Sequence, residues 1–472
     1  MRSVDRNRNS RPDADALPGE PGVGTGLPDP FRARDPDTAW MFALNRMGIR
    51  PGLSRIHGLL RDLGDPQVGL RTLVVAGTNG KGSTTRILAR LLRAAGYRVA
   101  TYTSPHLLQV TERIQIDEQS LSFAEFRRRV RSIRPLVERH QASWFESLTA
   151  LAVQAAADAE VDFLCCETGL GGRLDASNAL PSQAVLLTGI GLDHQHILGE
   201  TLPEIAAEKL GLLKPQVPLF CALPDELKAQ AFTAAVQVGA PCYFLDELAR
   251  WPDAGEQPGS PWDLALRDRV VTGLPDHGMP FLRRNTALAL LALDELESRL
   301  DLQLVPDRAG EALGNLFLPG RYQQVLTRPD WIFDTAHNTQ ALTASLERFL
   351  ARPQRGRRVL LLGGMRDKTW DAEVLDLIDR VDEVMLTPIS LPRSRSREEL
   401  EILAQAWTGA TVAADLGRAL ADLTARLSPD DAVLVTGSCF LVAETLYLMG
   451  SDTLDSTLPV REAASVTLRS NT

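Results

Sequence analysis

The sequence predicts an α/β protein with two domains, each built on a mostly parallel β-sheet. Short apolar and β-branched runs alternate with longer helical patterns along most of the 472 residues, and this alternation is typical of βαβ units. A segment containing Pro and Gly near residues 317–320 interrupts the alternation, and a second set of strands and helices follows it. The length is that of two or three domains.

The chain divides into four predicted segments. Residues 1–36 are rich in Pro, Gly and charged side chains and bury too little apolar surface to fold, so we expect a disordered tail. Residues 37–317 form the first domain and residues 318–455 the smaller second domain. Residues 456–472 are expected to be a poorly ordered tail.

Each domain has its own predicted elements. In the first domain the predicted strands are residues 71–76, 98–102, 161–166, 184–190 and 217–221. A Gly-rich turn at 77–83 follows the first strand and leads into a helix at 84–95. Residues 226–280 show no clear pattern. In the second domain we predict strands at 331–334, 358–362, 382–386 and 432–435, and helices at 341–350 and 441–449.

Composition argues against several classes of protein. Lys and Arg number 51 against 60 Asp and Glu, a net charge of −9, whereas nucleic-acid binding needs clustered cationic side chains. The five cysteines form no CxxC pair, so neither a disulfide framework nor a zinc site is indicated. No apolar stretch is long enough to span a bilayer, and no signal-peptide core is evident. We therefore expect a cytoplasmic protein that binds neither nucleic acid nor membrane.

The segment from Gly77 to Ser83, Gly-Thr-Asn-Gly-Lys-Gly-Ser, has the composition of a phosphate-binding loop. It follows a predicted strand and opens a helix, so backbone N–H groups and the helix N-terminus converge on an anion, and Lys81 adds a charge. It departs from the general P-loop pattern at Val75, where that pattern has Gly, and at Gly82, where it has Ser or Thr. The alternative is a tight turn with an incidental lysine.

Two polar residues follow predicted strands near this loop. Glu167 comes directly after the strand 161–166, and His194 follows the strand 184–190. Because the carboxyl ends of neighbouring parallel strands share one edge of the sheet, the two side chains can hold Mg²⁺ beside nucleotide phosphates. Taken singly, Glu167 is better explained as a helix N-cap and His194 as a turn residue.

Three further residues have ordinary explanations on local sequence alone. Lys209 lies in an amphipathic helical pattern, where a lysine is usually solvated. Asp334 follows a predicted strand and can accept a ribose hydroxyl, but on local sequence alone a turn-capping role explains it better. Arg321, between the domains, can reach a phosphate.

Taken in order, these segments resemble the folylpolyglutamate synthase/dihydrofolate synthase family, a branch of the ATP-dependent Mur-type ligases. The resemblance covers residues 38–450, and the order of the motifs carries it rather than any single one. The matching segments are 77–83, 103–106, 112–114, 145–146, 167–175, 191–194, 208–209, 285–287, 319–321, 334–338 and 363–368.

The resemblance implies a P-loop-type, mostly parallel-sheet ATPase domain followed by a smaller Rossmann-like α/β domain. It also implies a ligase that phosphorylates a pteroate or folate carboxylate with ATP, after which the amine of L-glutamate displaces the phosphate. The implied partners are ATP, L-glutamate and dihydropteroate and/or tetrahydrofolate, and the implied cofactor is Mg²⁺, with two ions accompanying ATP. We expect a monomer.

The resemblance also implies residue roles. The ATP contacts are Thr78, Asn79, Gly80, Lys81, Gly82, Ser83, Asn285, Arg321 and Asp334. The magnesium ligands are Ser104, Glu167 and His194, with the hydroxyl of Ser83 as a competing ligand. The pterin contacts are Arg50, Pro51, Gly52, Ser143, Trp144, Phe145, Glu146, Leu174, Asp175 and Ala176. The catalytic residues are Lys81, His194 and Lys209, and Lys209 matches the lysine that family members convert to a carbamate (N6-carboxylysine) with CO₂.

Two positions depart from the family pattern. Thr339 replaces a usual Pro, which is expected to loosen that turn, and Trp144 replaces a common Tyr, which is expected to alter the pterin pocket. One alternative function is a Mur-type ligase acting on a UDP-linked peptidoglycan precursor, but too few residues precede Lys81 for the additional UDP-binding domain. Another is a nucleotide-binding module without catalysis, which has no need of the metal ligands or Lys209.

Overall fold

The computed structural model describes residues 35–44, 50–252, 259–304, 308–368, 370–450, 461–462 and 468. The predicted disordered tail, 1–36, lies outside these residues except for Asp35 and Pro36, which cap and begin the first helix. In the described part of the chain, no helix is both long and apolar enough to cross a membrane.

The first domain is built on an eight-stranded sheet. Its strands are β1 (Arg71–Ala76), β2 (Val99–Tyr102), β3 (Ile114–Ile116), β4 (Gln119–Ser120), β5 (Phe163–Glu167), β6 (Ser182–Leu187), β7 (Leu219–Cys221) and β8 (Cys242–Phe244). They lie in the order β4-β3-β2-β5-β1-β6-β7-β8. β3 runs antiparallel to both of its neighbours, and the other pairs are parallel. The strand β1, which precedes the predicted phosphate-binding loop (residues 77–83), therefore lies between β5 and β6.

Helices cover both faces of this sheet, and a separate hairpin follows it. The helices are α1 (Pro36–Ala43), α2 (Ser54–Asp62), α3 (Lys81–Ala94), α4 (Phe123–His140), α5 (Trp144–Asp158), α6 (Gln195–Leu198), α7 (Leu202–Leu210), α8 (Asp225–Val238), α9 (Leu245–Leu248), α10 (Pro280–Leu300) and α11 (Ala309–Gly314). The hairpin consists of β9 (Trp262–Ala265) and β10 (Val270–Leu274). On β1, Leu73 and Val75 pack against α3 and α10, whereas Val74 and Ala76 face α7 and α8. Burial on both faces explains why β1 is apolar from Leu73 to Ala76.

The second domain is built on a seven-stranded sheet. Its strands are β11 (Gln323–Thr327), β12 (Asp330–Phe333), β13 (Arg358–Leu362), β14 (Glu383–Leu386), β15 (Thr411–Val412), β16 (Ala432–Thr436) and β17 (Arg461–Glu462). Their order is β15-β14-β13-β16-β12-β11-β17, with β11 antiparallel to β12 and the other pairs parallel. The helices are α12 (Thr339–Ala351), α13 (Ala372–Ile378), α14 (Arg397–Ala404), α15 (Leu416–Arg426) and α16 (Cys439–Leu448).

The predicted fold class is confirmed, and the predicted strands are present with ends that differ by a few residues. The predicted turn at 77–83 is shorter, because α3 already begins at Lys81. The segment 226–280, which shows no clear pattern in the sequence, contains most of α8 and the elements β8, α9, β9 and β10.

Three further predictions concern the C-terminal segment, the domain boundary and the turn before Thr339. Most of the predicted poorly ordered tail, 456–472, lies outside the described residues, and the prediction remains untested; residues 461–462 form β17 beside β11. The domain boundary near 317–320 remains a prediction; α11 and β11 lie on either side of it. Thr339, expected to loosen its turn, begins α12 with Asn338 as the N-cap.

Candidate active site

The phosphate-binding loop joins β1 to α3 and has a tightly fixed shape. A Cβ on Gly77 (φ 150°) would lie 2.0 Å from the hydroxyl oxygen of Thr188, so only glycine fits there. The same hydroxyl donates to the Asn79 carbonyl at 2.6 Å. The Lys81 ammonium donates to the carbonyls of Gly77 and Thr78 at 3.2 and 3.0 Å. The first turn of α3 therefore opens from a rigid loop, as anion binding at a helix N-terminus requires.

Asn285 of α10 lies against this loop. A Cβ on Gly80 (φ 85°) would lie 2.8 Å from the Asn285 amide. Asn285 is 5% exposed, and its Nδ2 has no hydrogen-bond partner among the described residues. Buried amides are normally paired. This one is therefore available to a ligand at the loop.

Asp334 and Arg321 lie close together on the second-domain side. Asp334 follows β12, and its carboxylate accepts the N–H groups of Tyr322 and Ala336 at 2.9 and 2.8 Å. Burial raises the pKa of Asp334, and the Arg321 charge opposes that rise. The carboxylate thus has the turn-forming role that the sequence offered as an alternative, and it keeps lone pairs for a further donor.

Glu167, the last residue of β5, faces the loop. A Cβ on Gly82 would lie 3.1 Å from Glu167 Oε2, and the Ser104 N–H donates to the same oxygen at 2.9 Å. Glu167 is 3% exposed; burial raises its pKa, while the Lys81 charge and the Ser104 N–H oppose the rise. Ser83 is buried in the first turn of α3, beside Gly82. A carboxylate with serine residues next to a phosphate-binding loop is a donor set that fits Mg²⁺.

His194 lies at the end of the loop that follows β6. It precedes α6 in a left-handed conformation, with φ of 50°. Burial lowers the pKa of His194 to about 4, although the neighbouring Asp193 opposes this shift. The imidazole is therefore neutral at physiological pH and has a lone pair for a metal. Because the Lys81 charge also acts on His194 and on Glu167, these three residues share one electrostatic neighbourhood.

Lys209 is not a solvated helix lysine. It lies in the last turn of α7, is 4% exposed, and donates to the Gly77 carbonyl at 3.0 Å. Burial, followed by repulsion from Lys81, lowers the pKa of Lys209 to about 7. The ordinary explanation for Lys209 is therefore wrong, because the amine lies under the phosphate-binding loop and is neutral for a large fraction of molecules at neutral pH.

A cavity of about 510 Å³ opens beside the loop, between the two domains. Ser104 and His194 line it, so it adjoins the predicted metal ligands. Trp144 forms part of its wall and stacks on Phe42 with ring centroids 4.9 Å apart. Of the predicted pterin contacts all but Gly52 line this cavity, namely Arg50, Pro51, Ser143, Trp144, Phe145, Glu146, Leu174, Asp175 and Ala176.

Two carboxylates in the cavity wall differ in what they offer a ligand. Asp175 accepts two backbone N–H groups of its own loop and both the N–H and the hydroxyl of Ser177. Glu146 accepts from Arg55 Nε at 3.1 Å and from the Ser143 N–H at 2.7 Å, both through Oε2. Its Oε1 is buried without a partner among the described residues. Glu146 therefore has the more available acceptor.

Sequence reasoning missed the contacts that join the two domains at this site. The buried Asp193 forms an ion pair with Lys368 and accepts from the Asn338 amide at 3.1 Å. Burial alone would raise the pKa of Asp193, but a hydrogen bond with His337 and the nearby cationic groups hold it well below its usual range. Asn79 and Asn338 exchange hydrogen bonds of 3.2 and 3.0 Å. Lys368 ends a matched segment, yet nothing local in the sequence indicates its partner.

Comparison with known proteins gives a consistent result. Residues 320–439 match the family described as Mur ligase, glutamate ligase domain. A dihydrofolate synthase/folylpolyglutamate synthase of Escherichia coli (strain K12) is 31% identical over 436 residues, covering 89% of this chain and 96% of that protein. The structure of E. coli FolC in complex with DHPP and ADP has a TM-score of 0.79 at 29% identity, covering 89% of this chain and 98% of that one. A bifunctional folylpolyglutamate synthase/dihydrofolate synthase with Mn, AMPPNP and L-glutamate bound has a TM-score of 0.78 at 32% identity, covering 89% and 99%.

The phosphate-binding loop on a parallel sheet and the second α/β domain together define an ATP-dependent ligase of the Mur type. Within that class, the chain belongs to the dihydrofolate synthase/folylpolyglutamate synthase family. The family inferred from the sequence is thus confirmed, and the roles of individual residues remain predictions.

Proposed function

We propose that this chain joins L-glutamate to the carboxylate of dihydropteroate and/or a tetrahydrofolate, using ATP and two Mg²⁺ ions. The observation that carries the proposal is the position of the cavity. Its lining includes Ser104 and His194, which are near the phosphate-binding loop, together with nine of the ten predicted pterin contacts. A pterin-linked carboxylate in this cavity has a short path to a nucleotide phosphate.

The proposed reaction has two steps, a phosphoryl transfer and an attack by the glutamate amine. An oxygen of the acceptor carboxylate bonds to the γ-phosphorus as the bond from that phosphorus to the β–γ bridging oxygen breaks, giving an acyl phosphate and ADP. The glutamate amine then attacks the acyl carbon, phosphate leaves with the bonding electrons, and the amine loses a proton. The protein contributes positioning and charge stabilisation at the transferring phosphoryl group.

Three residues would hold Mg²⁺: Ser104, Glu167 and His194. The metal, when bound, neutralises negative charge on the phosphates. The Ser104 N–H orients the Glu167 carboxylate, and His194 presents a neutral ring. We also propose that Lys209 is carboxylated, which replaces a cation facing Lys81 with an anion.

The pterin end of the cavity supplies both stacking and hydrogen bonding. Trp144, with Phe42 stacked on it, offers an aromatic surface for a planar ring. The unpartnered Oε1 of Glu146 accepts from the N–H groups that a pterin ring presents. Arg55 contacts the other oxygen of this carboxylate and orients it.

The second-domain wall of the cavity supplies cations for L-glutamate. Lys368 and Arg393 line this wall together with His337 and Ser438. L-Glutamate carries two carboxylates, and cationic side chains recognise carboxylates through charge-assisted hydrogen bonds. We assign this wall to the incoming amino acid, so that its amine approaches the acyl phosphate from the second domain.

A product assay tests the proposed function. Purified protein with ATP, Mg²⁺, L-glutamate and dihydropteroate is expected to release ADP and to form dihydrofolate, detected by mass spectrometry. Parallel reactions with tetrahydrofolate decide between one acceptor and two. Product from a UDP-muramoyl substrate instead would support the peptidoglycan alternative, and tight ATP binding without turnover would support a non-catalytic module.

We predict that Glu167→Gln and His194→Ala each raise the Mg²⁺ concentration needed for half-maximal activity, by about tenfold or more. Each variant loses one donor to the metal, and both donors lie in the electrostatic neighbourhood of Lys81. Magnesium titrations of the ligation rate measure the effect. Glu118→Gln, at a carboxylate paired with Arg90, is the control and should leave the midpoint in place. Unchanged midpoints in folded Glu167 and His194 variants would make both residues structural.

A further inference from the structure

Glu444 of α16 is a buried carboxylate of the second domain that does not line the cavity. It is 2% exposed, and both of its oxygens accept from one residue. Oε1 accepts from the Ser390 hydroxyl at 2.6 Å, and Oε2 accepts from the Ser390 N–H at 3.1 Å. Since an apolar side chain would fill a buried place without the desolvation penalty of a carboxylate, the residue is best explained by what it holds.

Glu444 holds the turn of residues 389–394, which follows β14. Within the turn, the Ile389 N–H donates to the Ser394 hydroxyl at 2.9 Å. On its other side, the Arg366 N–H donates to the Arg393 carbonyl at 3.1 Å, which ties the turn to the loop after β13. That neighbouring loop carries Lys368 to the cavity wall. The turn is thus fixed between α16 and the loop after β13.

The same turn presents Arg393 to the cavity. Arg393 lines the wall that we assign to L-glutamate, and its guanidinium lies 5.8 Å from the ring centroid of Phe440. Phe440 and Glu444 lie four residues apart on α16, and therefore on one face of that helix. One helix contacts both the turn and the arginine that the turn carries.

We propose that Glu444 is a positioning residue for L-glutamate, acting through Ser390 on the turn that presents Arg393. The inference rests on the proposed function, because it takes Arg393 to contact the incoming amino acid. A positioning role differs from a purely structural one in what it changes. It alters the affinity for one substrate, whereas a structural role alters stability or all kinetic parameters together.

Two single variants test the proposal. Glu444→Gln keeps the side-chain volume but replaces one acceptor by an amide NH₂, so the Ser390 hydroxyl can no longer donate to it and has to turn and accept instead. Ser390→Ala removes the hydroxyl of an exposed residue and takes one donor from the buried Glu444 carboxylate, so its thermal unfolding is measured alongside. Ser390→Ala is expected to raise KM for L-glutamate about fivefold, the loss of one hydrogen bond. Glu444→Gln, which reverses that hydrogen bond, is expected to raise it by up to the same factor, and in both variants kcat and KM for ATP stay near wild type.

The neighbouring residue on α16 provides a matched control. Thr445 is also buried, but its hydroxyl donates within the helix to the Leu441 carbonyl at 2.7 Å. Thr445→Val is therefore expected to leave KM for L-glutamate unchanged, even where it lowers the melting temperature.

A double-mutant cycle with Arg393→Ala tests whether Glu444 acts through that arginine. The variant carrying both Glu444→Gln and Arg393→Ala is expected to have the KM of Arg393→Ala alone. Additive effects, or an unchanged KM in folded Glu444→Gln and Ser390→Ala, would overturn the inference while leaving the proposed function intact. A wild-type protein that forms no glutamate-containing product would overturn the proposed function, and this inference with it.

Discussion

Replacing Lys81 with Ala is expected to lower kcat/KM for ligation by about 10²-fold or more. Lys81 begins α3 at the phosphate-binding loop, and its charge acts on Glu167, His194 and Lys209. The substitution removes the cation that we propose stabilises the nucleotide phosphates as negative charge shifts during phosphoryl transfer. The loss is measured as kcat/KM for ATP, from the steady-state release of ADP at varied ATP and saturating glutamate and pterin acceptor.

Controls separate this effect from a general loss of structure. Lys228→Ala removes a lysine of α8 that pairs with Asp225 at the surface, and it should turn over like the wild type. Because the Lys81 ammonium also donates to loop carbonyls, thermal unfolding of both variants must be compared. A folded Lys81→Ala protein with near wild-type turnover would show that the loop does not bind the reacting phosphates.

The region around β1 could be predicted from sequence because its signals are local. A strand buried on both faces is an uninterrupted apolar run, and the glycines that follow β1 are required by the close approach of Thr188 to Gly77 and of Asn285 to Gly80. Glu167 and His194 follow strands adjacent to β1, so strand order alone places them at the same edge. Each of these inferences needs only the neighbouring residues and the rules of parallel sheets.

The insertion between β7 and α10 could not be predicted in the same way. The strands of its hairpin are short, and on β10 the buried positions Val271 and Leu274 are three residues apart because a register shift interrupts the pairing. A two-residue alternation is therefore absent from the sequence. Packing of Trp262 and Leu264 into the core beside α10 stabilises the hairpin, and no local pattern reports that contact.

The ion pairs and pKa shifts of the site could not be predicted from the sequence, because they depend on tertiary contacts. Asp193 pairs with Lys368 from the other domain, 175 positions along the chain. Lys209 has the sequence setting of a solvated lysine, yet α7 places it beneath Gly77. Family resemblance drew attention to Lys209, but its burial and its pKa shift come only from the packing of α7 against the loop.

The other large effect is expected at Lys209, whose proposed carbamate depends on an unprotonated amine. With its pKa lowered to about 7, about half of the amine is neutral at pH 7, compared with roughly one molecule in three thousand at the ordinary value of 10.5. The neutral nitrogen attacks CO₂, the N–C bond forms, one C=O electron pair moves to oxygen, and the nitrogen loses a proton. The product is an anion where a cation would be repelled by Lys81 and by metal ions.

Enzyme depleted of CO₂ is therefore expected to lose most of its activity and to recover it when bicarbonate is added. At a constant concentration of dissolved CO₂, recovery should become slower as the pH falls below about 7, because protonation of Lys209 removes the attacking lone pair. Above that pH the rate of recovery should level off. Activity measured at a fixed assay pH, after reactivation at different pH values, separates this dependence from the titration of other groups.

Substitution of Lys209 provides the more demanding test. Lys209→Ala should be nearly inactive and should regain part of its activity with a short carboxylic acid, which replaces the missing anion. Lys214→Ala is the matched control, because burial also lowers the pKa of Lys214, to about 8, but its ammonium donates to the Leu180 carbonyl away from the loop. If the short carboxylic acid raises the activity of Lys209→Ala but not that of Lys214→Ala, the result supports a carbamate at position 209. An unmodified Lys209 in fully active enzyme, seen by crystallography or by native mass spectrometry under CO₂, would contradict it, and the metal site would then rest on Ser104, Glu167 and His194.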